Sequence, residues 1–76
     1  MKLKPTQRGF QRSEFIDRYG QFCSLQESSL ATEGCIWLGV DTNVEGKEIL
    51  GRMHLTQKMV KDLLPHLKKF ARTGHL

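Results

Sequence analysis

Cysteine is scarce: Cys23 and Cys35 are the only two in 76 residues. That is too few for a disulfide scaffold, so a reducing compartment is the expectation. No apolar run approaches the roughly 18 residues that a membrane-spanning helix requires. No apolar stretch of the kind a secretory leader carries follows Lys2 and Lys4, so a cytoplasmic protein without a signal peptide is expected. Closely spaced metal knuckles are missing too, since the chain has neither Cys-x-x-Cys nor His-x-x-x-His. Gly34, Gly39, Gly46 and Gly51 fit neither the phosphate-binding loop nor the dinucleotide fingerprint. Aromatic residues amount to one Trp, one Tyr and four Phe, and no RNP-like aromatic pair, helix-turn-helix or zinc finger is visible. There is no internal repeat and no low-complexity segment.

What is there describes one small folded unit. The length is about half that of an ordinary domain. Apolar residues make up 38% and charged residues 26%, a globular balance. Twelve basic and eight acidic residues give a formal charge of +4, unevenly placed. Lys2, Lys4, Arg8 and Arg12 open the chain without an acid. Glu27, Glu33, Asp41, Glu45 and Glu48 dominate the middle, and Arg52, Lys58, Lys61, Lys68, Lys69 and Arg72 the last third. A bipolar surface able to orient a partner is one reading; a merely solvated surface is the other.

Residues 1–12 lack periodicity and read as a flexible basic arm, leaving 13–76 as a single domain. A strand runs from Arg12 to Asp17, and Arg18-Tyr19-Gly20 is a turn into a second strand over 21–27. Glu27-Ser28-Ser29 leaves the sheet. Cys35-Ile36-Trp37-Leu38-Gly39-Val40 is the most apolar stretch and reads as a third strand. Residues 41–51 read as a polar loop and Arg52-Met53-His54-Leu55 as a short fourth strand. Thr56 is a good N-cap for an amphipathic helix over 57–72, with Gly74 as its stop. Met59, Val60, Leu63, Leu64, Leu67, Phe70 and Ala71 fall within an arc of about 140°, and Lys58, Lys61, Lys68, Lys69 and Arg72 within about 100° on the other side. Pro65 lies on that polar side and either kinks one helix or separates two. The expected fold is α+β: an antiparallel sheet of three to four strands packed on one C-terminal amphipathic helix, in the order β-β-β-β-α. Leu25, Trp37, Met53, Leu55 and the helix stripe are expected in the core. The other sheet face, with Phe22, Ile36 and Leu38, stays open to a second copy or a protein partner unless the arm covers it through Phe10.

Chemistry has few footholds. Cys23, Cys35, His54 and His66 form a two-Cys, two-His set on paper, but their spacings of 11 to 18 residues argue against a metal site. Cys23 or Cys35 with His54 and Asp17 lacks any local nucleophile motif, and Glu14 with Asp17 lacks a cleft. No catalytic residue, cofactor or metal is expected, and the cysteines read as small core residues. The contact candidates are Lys58, Lys61, Lys68, Lys69 and Arg72 on the helix, with Arg52 and His54 on the last strand. They suit a protein partner or the phosphates of a nucleic acid.

Several segments carry a resemblance. They are Phe15-x-Asp17-x-x-Gly20, Cys23-Ser24-Leu25-Gln26-x-Ser28-Ser29-x-Ala31, Ile36-Trp37-Leu38-Gly39, Arg52-Met53-His54-Leu55-Thr56 and Leu64-Pro65-x-Leu67-x-x-Phe70-x-x-Thr73-Gly74. In this order they resemble a group of small proteins encoded by phages and other bacterial mobile elements. The resemblance covers residues 15–76 and brings no catalytic residues. It implies a non-enzymatic accessory protein in the host cytoplasm that binds a host protein complex, with inhibition of a defence nuclease as one fitting role.

Overall fold

A computed structural model of the chain describes residues 1–29 and 33–76, with the backbone alone at positions 49 and 50. Five strands, β1 (Lys4–Pro5), β2 (Gln11–Ile16), β3 (Phe22–Glu27), β4 (Cys35–Thr42) and β5 (Glu48–Thr56), precede helix α1 (Gln57–Thr73). Every neighbouring pair is antiparallel and the spatial order is the chain order, an open meander. The α+β class with a C-terminal helix is as expected; the sheet has five strands rather than three or four. Within the stretch read as an arm, Lys4–Pro5 pairs with Gln11–Arg12. The expected loop over 41–51 is a turn of only five residues, because β4 continues to Thr42 and β5 begins at Glu48.

One turn design recurs at three hairpins. Thr6, Asp17 and Asn43 each start a turn whose fourth residue is a glycine with positive φ, at Gly9, Gly20 and Gly46. In each, the glycine N–H donates to the carbonyl of the first residue. Asp17 and Asn43 tighten the bend, because Oδ1 of each accepts the N–H groups two and four residues on. A type I turn followed by a left-handed glycine matches the twist of the flanking strands.

Register sorts the side chains into two unlike faces, since cross-strand partners point the same way. Phe15 pairs with Cys23, Cys23 with Val40, Leu25 with Leu38, Leu38 with Met53, and Ile36 with Leu55. These residues make an apolar face. Arg12 pairs with Gln26, Gln26 with Trp37, Trp37 with His54, and Gly39 with Arg52, making a polar face. Trp37 therefore does not share a core with Leu25, as the composition of its strand suggests. Phe22 parts from Ile36 and Leu38 for the same reason, one residue of register deciding the side.

The helix begins where the last strand ends. Thr56 closes β5 and caps α1, accepting the Met59 N–H at 3.2 Å, and Gly74 terminates it in the left-handed region. Pro65 sits inside one continuous helix. With no residues between strand and helix, α1 leaves the sheet edge instead of folding back across it. Only its first turns meet the sheet, where Val60 and Leu64 border a cleft of about 380 Å³ with Ile36 and Leu55. The expected burial of the stripe is not met within the single chain. No α1 residue is buried, and Leu67 and Phe70 remain 54% and 55% exposed. Met53 is exposed as well, and Cys23 is the only buried apolar side chain among the described residues.

Candidate functional site

The polar face carries a continuous chain of side-chain contacts from β2 to β5. Arg12 donates to Gln26 Oε1 at 2.7 Å and to Asp41 Oδ2 at 2.9 Å, and lies 3.5 Å from Glu14. Asp41 stands at the irregularity near the end of β4 and takes a second guanidinium, Arg52 Nε at 3.4 Å. Arg52 in turn lies over the Trp37 ring, 5.3 Å from its centroid. The His54 ring stacks on Trp37 with centroids 3.9 Å apart and planes 7° from parallel. The outer edge of His54 reaches Ser28, whose Oγ is 2.9 Å from Nε2.

The sequence places these groups by simple rules. Arg52 and His54 alternate along β5 and so share a side. Gly39, opposite Arg52, has φ +148° and no room for a side chain: a Cβ would sit 2.8 Å from the Arg52 Cα. That close approach brings the β5 backbone tight against β4, beside Trp37. Ser24 lies under the network, fully buried, with its hydroxyl unpartnered.

The arrangement suits recognition. Asp41 pairs with two arginines, so the guanidiniums are fixed in direction, a net positive charge remains and Arg52 stays partly exposed. Trp37 and His54 present a flat, rigid edge of the sort that anchors protein interfaces. Next to them, Phe10 and Arg8 border a shallow cleft of about 340 Å³ with Gln26 and Trp37. Phe10 thus lies beside the polar face and leaves the apolar face uncovered.

The residues weighed for other chemistry are scattered. Cys23 faces the apolar side and is buried, while His54 stands on the polar side. Asp17 is engaged in its turn, holding Gln21 through backbone and side chain. Those hydrogen bonds draw its carboxyl below the ordinary value of 3.8. Cys35 is a half-buried residue of the polar side, five positions along β4 from the partner of Cys23, or about 17 Å. It is therefore no core residue. Both thiols are pushed up, first by desolvation and then by nearby carboxylates, Asp17 for Cys23 and Glu33 for Cys35. Among the described residues no three His, Cys, Asp or Glu side chains gather as metal ligands. His66 is exposed on α1.

Arg52 and His54 are thus brought together, and the five helix cations are not part of their cluster. Lys58 pairs with Asp62 at 3.1 Å, and Lys69 donates to the Leu76 carbonyl. Lys61, Lys68 and Arg72 are exposed with them along the outer side of α1. Sequence reasoning missed Arg12, Trp37 and Asp41 as site residues. The alternation of Arg52 and His54 is the signal that points to their side, but the strand register is needed to add the rest.

The chain matches no family model, no curated protein and no solved structure. Ala31, part of the pattern shared with the phage-encoded group, lies outside the described residues. Among the described residues, no helix is long and apolar enough to cross a membrane.

Proposed function

We propose that this is a non-enzymatic binding protein of the phage-accessory kind, acting in the bacterial cytoplasm by docking on a host protein complex. The stack of Trp37 and His54 beside the Asp41-held Arg52 carries the reading. Trp and Arg are the side chains most enriched where truncation costs an interface most. Blocking of a defence nuclease is the role that the resemblance suggests. Affinity capture from a bacterial lysate, with and without nuclease treatment and at two salt concentrations, tests it. One protein complex should be retained after nuclease and at high salt. The double variant Arg52→Ala/His54→Ala should release it. Loss of capture on nuclease treatment alone overturns the reading.

A second reading rests on the outer side of α1, where Lys58, Lys61, Lys68, Lys69 and Arg72 are opposed by Asp62 alone. If these five touch phosphates, log affinity for duplex DNA should fall with log salt at a slope of about −4 to −5. Replacing all five by Glu should abolish that binding and leave a protein partner held through the polar sheet face in place.

A further inference from the structure

We infer that the chain is completed by a second copy of itself, with the helix stripe of each copy seated on the apolar sheet face of the other. The single chain exposes too much surface for its size. A folded monomer of 8.7 kDa exposes about 4,700 Å² by the usual scaling, whereas this one exposes 6333 Å². Its radius of gyration is 13.6 Å, against about 11.4 Å for a compact chain of 76 residues. The excess is about 1,600 Å² per chain. A dimer hiding it would bury about 3,200 Å² in all, inside the range of obligate homodimers.

Two stretches of the exposed apolar surface point to the occupant. Two apolar surfaces on the same chain lack full cover: the margin of α1 formed by Met59, Leu63, Leu67 and Phe70, all exposed, and the sheet face where Met53 is exposed and its partner Leu38 half-buried. They do not cover each other within the single chain: α1 follows β5 without a connecting residue, and only its first turns touch the sheet. Their sizes agree. Seventeen helical residues span about 25 Å, and a sheet of five strands is about 20 to 24 Å wide. A two-fold axis satisfies both at once, since stripe-on-face in one direction entails the same contact in the other. The cationic side of each α1 and the polar face of each sheet stay outside, so the binding surface described above is left free and appears twice.

The test uses the purified full chain alone, so its outcome does not depend on any host partner. Sedimentation equilibrium at micromolar concentration should give twice 8.7 kDa. Isotope-filtered NMR on mixed labelled and unlabelled chains should show contacts between Leu67 or Phe70 of one copy and Leu38 or Val40 of the other. Leu63→Glu/Leu67→Glu should weaken self-association on the order of a hundredfold or more, while Lys68→Glu on the outer side leaves it unchanged. A folded monomer at that concentration overturns the inference, even if a foreign protein later occupies the stripe. So does a dimer whose only cross-chain contacts are helix to helix, or a set of stripe-to-sheet contacts confined within one chain. The wild-type measurements decide the matter should the glutamate variant fail to fold.

Discussion

Gly39 is the residue whose identity the backbone most strictly requires. Its φ of +148° and the closeness of Gly51 and Arg52 leave no place for a methyl group. Gly39→Ala should lower stability by about 2 kcal/mol or more, whereas Gly34, with open space around it, should accept alanine with little change in thermal midpoint. Ser24 offers the opposite case. Its buried hydroxyl lacks a partner, so Ser24→Ala should stabilise by about 1 kcal/mol in chemical denaturation. Asp17 makes stability depend on pH. Its folded carboxyl titrates below 3.8 because Gln21 donates to the charged form. The stabilisation is present in full above the unfolded value, about 3.9, and fades as pH falls through the folded value. Asp17→Asn keeps the acceptor, as Asn43 does in its own turn. The stability difference between wild type and this variant should be flat near neutral pH and shrink below about pH 4.

At the scale of elements, α1 combines strong local signals with one internal conflict. The Thr56 cap holds the N-terminus, and Thr56→Ala should cost about 1 kcal/mol. Pro65 removes one backbone donor from the helix interior and crowds the preceding turn. Pro65→Ala should stabilise by up to about 3 kcal/mol and raise the helical signal in circular dichroism. Cap, stop and stripe were all legible in the sequence because helix signals are local, within four residues of one another. The continuity of the helix through Pro65 was not, since a proline reads equally well as a kink or a break. The strands show the same division. The Asp17–Gly20 turn was visible from its residue types, but the hairpin around Asn43–Gly46 was absorbed into a longer loop, because Asp41 and Thr42 end β4 on polar residues and Ile49 and Leu50 stand side by side in the sequence without alternation.

For the molecule as a whole, the main feature is a mismatch between apolar surface and cover. Ordinary domains hide their best helix stripe inside one chain; here the stripe projects from a sheet edge. If a second copy supplies the cover, stability is coupled to assembly and the thermal midpoint should rise with protein concentration. A midpoint independent of concentration across two decades would contradict that coupling. The same architecture separates tasks. One sheet face and one side of the helix are apolar, while the arginine-aromatic cluster and the helix cations stay on outward surfaces.

By itself, the sequence determined the α+β class, the position of the helix and its ends, two apolar strands, and the placing of Arg52 and His54 on one side. Each of these follows from short-range periodicity, capping chemistry or residue type. Only the tertiary structure decided that Trp37 faces away from Cys23 and Leu25, since a single residue of register transfers a strand's side chains to the other face. It also decided that Asp41 unites Arg12 and Arg52, residues 40 positions apart in the chain that three sheet neighbours bring together. Above all, it decided that the helix stripe beyond its first turns stays uncovered by its own sheet. Amphipathicity marks the apolar side of the helix, while the lack of a connecting residue between β5 and α1 sets most of that side off its own sheet.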